Sequence, residues 1–220
     1  MKRRIIAIGI VMACVLGIAP AAWTDNIAAA GDISNPPGGF RGDTATAALL
    51  DPASGNGIGL VLPLGDNQYQ CADLAANRSK RCTVVYGHHP YLASAAPYPV
   101  HPDLKDIWPT LVLEDVDLFI AGHNHAYERL ARIRTQGNVD EDWGPGDGDD
   151  GHAGVPTIVV GTGGSSLIPF GQIHPASRVR IAGRYGVLKI VPDYPSPGRW
   201  IHAFKGTDGS TLDRVEMRCH

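Results

Sequence analysis

The 220-residue sequence contains no apolar run long enough to cross a membrane and no cluster of basic residues beyond its first four positions. The longest apolar run, residues 5–18, falls short of the roughly 20 residues that a membrane-spanning helix needs. The formal net charge is −3 at pH 7. This charge balance argues against a nucleic acid or an anionic membrane as a partner. Internal repeats are absent as well.

The N-terminus has the three parts of a secretory signal peptide. Met1-Lys-Arg-Arg is basic, residues 5–18 form a short apolar core, and Ala19-Pro-Ala21 offers a cleavage site. We therefore expect a signal peptide over residues 1–21, with cleavage after Ala21 or Ala22. The mature protein is predicted to be secreted or extracytoplasmic, with no membrane association after this cleavage.

Four cysteines are present, and the first of them, Cys14, lies within the predicted signal peptide. A lipoprotein-type cleavage at Cys14 is a weaker alternative, because apolar sequence continues past it. The mature chain keeps Cys71, Cys82 and Cys219. Export permits disulfides, but an odd number leaves one thiol unpaired or a partner missing, and the pairing stays open. The roughly 200 residues that remain suffice for one domain, predicted over residues 27–220.

Strand-like apolar runs alternate with helix-like segments along the chain. The strand-like runs are residues 26–30, 59–64, 83–86, 117–121, 157–160, 186–191 and 200–204. Helices are predicted over residues 44–50 and 102–116, and the second of these has apolar residues at helical spacing. The alternation favours an α/β fold over an all-β sandwich. The last two strands are predicted to be antiparallel and to close the domain.

Side chains that can bind metals stand directly after the first four of these strands. They are Asp32 in Ala-Gly-Asp, Asp66 and Tyr69 in Gly-Asp-Asn-Gln-Tyr, His88 in Gly-His-His-Pro, and His123 and His125 in Gly-His-Asn-His. Each residue alone says little, since a lone histidine is more often a core or surface residue. Because open α/β sheets bind ligands at the carboxyl ends of their strands, we expect one shared site. Oxygen and imidazole ligands together suit iron, zinc or manganese.

This ligand set suits two adjacent metal ions bridged by a carboxylate. Two metals can make a bound water acidic enough for a metal-bound hydroxide to attack near neutral pH. They can also clamp the entering and leaving oxygens of an in-line displacement at phosphorus. The motifs therefore predict metal-assisted hydrolysis of a phosphate ester.

The motifs resemble those of the calcineurin-like metallophosphoesterases, and in particular those of the purple acid phosphatase branch. Gly65-Asp-Asn-Gln-Tyr69 and Gly122-His-Asn-His-Ala-Tyr-Glu-Arg129 carry the resemblance to that branch. Gly161-Thr-Gly-Gly164 and Tyr185-Gly-Val-Leu-Lys189 are similar to exported bacterial members. The likeness covers about residues 27–220 of the chain. It implies an α/β fold in which two mixed β-sheets form a sandwich flanked by helices.

The resemblance also implies a role for each ligand candidate. The first metal would be held by Asp32, Tyr69 and His125, the second by His88 and His123, and Asp66 would bridge them. A phenolate ligand implies iron(III) at the first site, with iron, zinc or manganese at the second. In the family motif the ligand follows the glycine directly, which makes His89 a neighbouring or rim group. His101 would bind the phosphate or protonate the leaving oxygen of a small phosphate ester, or else lie at the surface.

One motif of the family is absent from this chain. Relatives carry Gly-Asn-His between the Asp-x-x-Tyr and Gly-His-x-Pro motifs, where its Asn binds the second metal and its His contacts the phosphate. Here only residues 70–87, 18 in all, separate Tyr69 from His88, too few for a further strand with its loop and helices. The stretch predicts one helix, about residues 71–79, and an internal deletion between about residues 70 and 82. A lost segment would also explain the odd cysteine count.

Two functions therefore compete. The first is an exported phosphomonoesterase with a dinuclear metal centre and an acid or neutral pH optimum. The second is an impaired or inactive relative that binds one metal or none, because loss of a ligand weakens a metal site. The six retained ligand candidates favour the first function, and the missing motif favours the second. The sequence leaves the oligomeric state open.

Overall fold

The computed structural model describes residues 14–17, 26–31, 42–50, 58–64, 82–94, 103–134, 154–192, 196 and 198–219. The helices in this part of the chain are α1 Gly42–Leu50 and α2 Asp103–Leu113. The strands are β1 Cys14–Gly17, β2 Asn26–Ala30, β3 Ile58–Pro63, β4 Thr83–Gly87, β5 Leu118–Ala121, β6 Tyr127–Ile133, β7 Val155–Val160, β8 Ser177–Ile181, β9 Gly186–Pro192, β10 Arg199–Gly206 and β11 Thr211–Arg218.

The strands form two mixed sheets. Sheet A has six strands in the order β1-β4-β5-β7-β6-β8. Its pairs β4–β5 and β5–β7 are parallel, and its other pairs are antiparallel. Sheet B has five strands in the order β11-β10-β9-β2-β3, where β2 and β3 run parallel and the other pairs antiparallel. The alternating pattern of the sequence thus leads to an α/β fold, as predicted.

Alternate residues of the central strands face two different hydrophobic clusters. In β2, Ile27 belongs to the cluster between the two sheets, whereas Ala28 belongs to the outer cluster that includes the partly buried Leu49 of α1. In β5, Ile120 faces the other sheet and Phe119 faces α2. Because side chains alternate across a strand, a strand covered on both faces reads as a continuous apolar run. The result is a sandwich of two sheets with a helix on each outer side.

Helix α2 covers sheet A through a buried tryptophan. The Trp108 ring stacks on Tyr91 with 4.6 Å between ring centroids, and its Nε1 donates to the carbonyl of Ile133 at 3.1 Å. The helix ends at Leu113, before the predicted end at residue 116. Asp115 has a φ of 47°, in the left-handed region that ends a helix. The chain then turns directly into β5.

Three strands after the first metal motifs were not predicted: β6, β8 and β11. Strand β6 carries charged residues yet is buried along its whole length. Strands β9 and β10 are antiparallel, as predicted, but β11 follows them and pairs with β10, so the prediction that these two strands close the domain was wrong. A turn through Asp208 and Gly209 joins β10 and β11. The φ of Gly209 is 82°, a conformation that glycine adopts more readily than residues with a side chain. Asp-Gly between two strands is a hairpin signal that the sequence reasoning missed.

Strand β1 lies inside the predicted signal peptide. It pairs antiparallel with β4 at the outer edge of sheet A, with Cys14 opposite Tyr86 and Gly17 opposite Thr83. The signal peptide stays a prediction, and cleavage after residue 21 would remove this strand and expose the edge of β4. None of the helices described in the chain has both the length and the apolar character to cross a bilayer.

A disulfide joins the two sheets. Cys82 directly precedes β4 of sheet A, Cys219 directly follows β11 of sheet B, and their Cα atoms are 5.1 Å apart. This bond resolves the pairing that the sequence left open, while Cys71 lies outside the described residues. The bond links positions 137 residues apart, for which chain entropy predicts up to about 5 kcal/mol of stabilisation. Its presence is consistent with an extracellular protein.

Candidate metal centre

The ends of four strands meet where the two sheets come together. Gly31, after β2, donates its N–H to the carbonyl of Val160 and accepts from the N–H of Gly163, each at 2.9 Å. A Cβ on Gly31 would lie 2.8 Å from the Cα of Gly122, after β5, and 3.2 Å from the Cβ of Leu64, after β3. Only a residue without a side chain permits this approach. The segments that lead into three of the four predicted ligand motifs therefore start from one region.

His88 follows β4 at this junction. Its Nδ1 lies 2.9 Å from the carbonyl oxygen of Leu64, which can only accept a hydrogen bond. The proton must therefore sit on Nδ1, and Nε2 is the nitrogen that carries a lone pair toward the site. Metal-binding histidines are held in this way by a carbonyl behind the ring. The neighbouring strand thus sets both the tautomer and the direction of His88.

His123 follows β5 and brings a second imidazole nitrogen to His88. Its Nδ1 lies 3.2 Å from Nε2 of His88. Two nitrogens bound to one tetrahedral ion at 2.0–2.1 Å are separated by about 3.3 Å, so this spacing fits a shared metal. The φ of His123 is 66°, a conformation that is uncommon outside glycine and is often kept at functional sites. Both residues predicted for the second metal are therefore brought together.

His89 joins the same cluster. His88, His89 and His123 each offer a nitrogen that lies within 4.8 Å of those of the other two. The sequence reasoning left His89 as a neighbouring group, because the family motif names only the histidine after the glycine. Two consecutive histidines at a strand end were the available signal.

His125 lies two residues beyond His123 but outside this three-histidine cluster. Its Nδ1 is 2.8 Å from the carbonyl oxygen of Ser166, and its own carbonyl accepts from the N–H of Ile168 at 3.1 Å. As in His88, the proton sits on Nδ1 and Nε2 is the possible ligand atom. The glycine-rich loop after β7 thus orients His125.

Four predicted site residues lie outside the described part of the chain: Asp32, Asp66, Tyr69 and His101. The predicted helix at about residues 71–79 and the predicted deletion between about 70 and 82 also lie outside it, apart from Cys82. Their roles stay predictions. Gly31 and Leu64 do show where the chain leaves the junction immediately before Asp32 and two residues before Asp66.

Asn124, between the two histidines of its motif, is buried with 2% of its surface exposed. Neither Oδ1 nor Nδ2 has a hydrogen-bond partner among the described residues. Burying an amide in this way costs about 1–3 kcal/mol unless a partner is supplied. The side chain is therefore a candidate for contact with a ligand or with one of the neighbouring segments.

The Glu of the His-Ala-Tyr-Glu-Arg motif holds the loop that follows the first histidines. Glu128 accepts from the N–H of Ser94 at 2.8 Å and from its hydroxyl at 2.5 Å. The hydroxyl of Ser177, on β8, donates to the same carboxylate. The acid is thereby satisfied although it is buried, and it ties the end of the Gly-His-His-Pro loop to sheet A. No pattern in the sequence indicated this role.

The Tyr and Arg of that motif point to the opposite face of β6 and clamp sheet B. Tyr127 donates its hydroxyl to Asp213 at 2.8 Å, and Nε of Arg129 donates to the same carboxylate at 2.7 Å. Burial alone would raise the pKa of Asp213, but the hydrogen bond and charge of Arg129 hold it below its ordinary value. Burial, and then Asp213, raise the pKa of Tyr127 well above its usual range. The motif therefore links β6 of sheet A to β11 of sheet B.

Comparisons with known proteins support the fold. No protein-family profile and no curated protein sequence matches the chain. The solved structure of purple acid phosphatase PPD1 from yellow lupin (Lupinus luteus) seeds superposes with a TM-score of 0.63 at 14% identity, over 92% of this chain and 55% of that one. The chain thus spans about half the length of the lupin enzyme. It has the fold of the calcineurin-like phosphoesterases, as the resemblance of the motifs implied.

Two further structures share part of this similarity. One is GAP50, the anchor in the inner membrane complex of Plasmodium, with a TM-score of 0.46 and 18% identity over 62% of this chain and 36% of that one. The other is Vps29 of Entamoeba histolytica, solved with Zn²⁺, with a TM-score of 0.38 and 13% identity over 87% of this chain and 98% of that one.

Proposed function

We propose that the protein is an exported phosphoesterase that hydrolyses small phosphate monoesters at a dinuclear metal centre. The observation that carries the proposal is the 3.2 Å spacing of His88 Nε2 and His123 Nδ1 at the strand ends of a calcineurin-like phosphoesterase fold. Fold by itself does not specify function, but two imidazole nitrogens at the spacing of ligands to one metal ion indicate metal binding.

In this proposal His88 and His123 would hold the second metal, and His125 with Asp32 and Tyr69 would hold the first. Asp66 would bridge the two ions. The first ion would be iron, and the second iron, zinc or manganese. When bound, such metals lower the pKa of a water and offset charge on the phosphate. The carbonyls behind His88 and His125 orient two of these ligands in advance, which supports the assignment.

The remaining groups bind substrate or hold the site. His101 is proposed to hold the phosphate or to give a proton to the leaving oxygen. Glu128 and Arg129 keep the loops after β4 and β5 in place through the contacts with Ser94 and Asp213. Export is supported by the basic and apolar N-terminus and by a disulfide that needs an oxidising compartment.

A second candidate function is favoured by one observation, the absence of Gly-Asn-His from the sequence. In this reading the chain is an impaired or inactive relative that binds one metal or none. Loss of a ligand and of a phosphate-binding histidine would reduce both metal affinity and turnover.

The two functions are separated by metal content, visible absorbance and hydrolysis of para-nitrophenyl phosphate. The proposal expects two metals per chain, a phenolate-to-iron band that disappears in Tyr69→Phe, and turnover that is lost in His125→Ala. The matched control is His174→Ala, because the His174 side chain is partly buried and its Nδ1 accepts from the N–H of Ala176, two residues away. One metal or none, with no turnover above a metal-free control, would establish the impaired relative instead.

A further inference from the structure

We propose that His89 is a direct metal ligand and shares one ion with His88 and His123. This inference rests on the proposed metal centre and adds a ligand to it that the motif does not supply. The ring centroid of His89 lies 4.7 Å from that of His88 and 4.4 Å from that of His123. The three residues thus form one compact group at the ends of β4 and β5.

The spacing of the nitrogens is close to that of a bound ion. His88 Nε2 and His123 Nδ1 are already at 3.2 Å, near the edge of about 3.3 Å expected for a tetrahedral zinc or similar ion. The nitrogens of the whole cluster lie within 4.8 Å of one another. The largest of these separations therefore has to shorten by at most about 1.5 Å, which changes in the side-chain torsions of His89 can provide.

The rings are inclined to one another rather than stacked. The planes of His88 and His123 meet at 78°, those of His88 and His89 at 75°, and those of His89 and His123 at 54°. Inclined rings can direct their nitrogens to a common point, as the ligands of one ion must. Rings packed only for their apolar faces would have no such requirement.

The backbone of His89 is held for this role. Because Pro90 follows it, the backbone of His89 is restricted to extended conformations. Metal binding therefore does not have to exclude helical conformations of this residue. Its neighbour His88 is oriented by the carbonyl of Leu64. A ligand whose backbone is already ordered binds with a smaller loss of conformational entropy.

The chemistry of the cluster selects the ion. Its three described members are all imidazoles, and imidazole suits zinc, whereas carboxylates suit manganese. Three histidines are also the protein ligands of one type of catalytic zinc site, and the bridging Asp66 would add a carboxylate to them here. We therefore assign zinc, rather than manganese, to the metal held by His88, His89 and His123.

The test is the Zn²⁺ affinity of the full chain, measured by competition with a chromogenic chelator. His89→Ala should weaken the tightest histidine-dependent zinc site by more than about 100-fold, because changing a group behind a ligand costs only about 10- to 100-fold. Co²⁺ loaded into the same site should lose its tetrahedral visible spectrum in this variant. His89→Gln keeps the side-chain size and covers the case in which the alanine variant fails to fold. His174→Ala is the matched control and should bind zinc as the wild type does.

Each outcome decides the matter. A loss below about 100-fold in folded His89 variants would overturn direct ligation and return His89 to the rim of the site. Zinc binding that depends on all three histidines, without phosphatase turnover, would support His89 and refute the proposed function. Zinc binding that needs His88 and His123 but not His89, with turnover intact, would refute ligation by His89 and support the proposed function. A wild-type chain that binds no zinc would overturn the assignment of zinc to these histidines.

Discussion

His202 is expected to make the protein unstable in acid. It lies on β10, is only 1% exposed, and neither ring nitrogen has a hydrogen-bond partner among the described residues. Burial and then the nearby cation of Arg129 lower its pKa to about 3, against the opposing effect of Asp213. The imidazole is therefore neutral in the folded protein at pH values where an unfolded chain would bind a proton.

The size of the effect follows from the two pKa values. A histidine in an unfolded chain has a pKa near 6.5, and that of folded His202 is about 3. Below pH 6.5 the unfolded state binds more protons, so the free energy of unfolding falls as the pH falls. From pH 7.5 to 5.0 the loss is about 2 kcal/mol, and it approaches about 5 kcal/mol near pH 3. The depressed pKa of Asp213 acts below its ordinary value of 3.8, outside the range from 7.5 to 5.0.

The assay is urea unfolding at pH 7.5 and 5.0, with a chelator present so that metal binding adds nothing. His202→Leu removes the titrating group and its unpartnered nitrogens at a similar volume. The wild type should lose about 2 kcal/mol more between the two pH values than His202→Leu does. His174→Leu, which makes the same substitution at a less buried histidine, is the matched control. An equal loss of stability in the wild type and His202→Leu would refute the reasoning.

Three further predictions concern contacts between the sheets. Asp213→Asn should cost about 3–5 kcal/mol in urea unfolding, because it leaves a buried guanidinium without its counter-charge. Glu216→Gln, at a more exposed ion pair, should cost less than about 1 kcal/mol, and equal losses would contradict the argument. Replacing both Cys82 and Cys219 by alanine should lower the free energy of unfolding by about 2–5 kcal/mol and abolish the effect of dithiothreitol on stability. A wild-type protein whose stability is unaffected by the reductant would contradict the presence of the disulfide. Gly31→Ala should lower the free energy of unfolding by about 1–3 kcal/mol and weaken zinc binding, because its Cβ would lie 2.8 Å from the Cα of Gly122. Unchanged stability and unchanged zinc affinity would exclude that close approach.

Strands that are covered on both faces were readable from the sequence. The run of residues 26–30 became β2 with the same limits, and the run of residues 83–86 became β4 with one residue more. Such strands are apolar at every position, because one face meets the other sheet and the other face meets a helix. Helix α1 was likewise found to within two residues of its predicted start.

Strand β6 escaped prediction because its pattern contradicts its burial. Glu128, Arg129 and Arg132 are charged, yet each is buried in the folded chain. Glu128 and Arg129 are tolerated because Ser94, Ser177 and Asp213 supply partners from elements distant in sequence. No local property of residues 127–133 indicates those partners.

The sequence by itself determined the kind of chemistry available to this protein. Ligand type is a property of single residues, so histidines, carboxylates and a tyrosine after apolar strands were enough to predict metal binding, and the resemblance of their motifs implied the phosphoesterase fold. Only the tertiary structure decided which ligand candidates meet. His88 and His123 are 35 positions apart, and their 3.2 Å contact depends on how β4 pairs with β5. The same packing brought in His89 and made Asp213 the partner of Arg129, because distances between remote residues are set by sheet register and not by spacing along the chain.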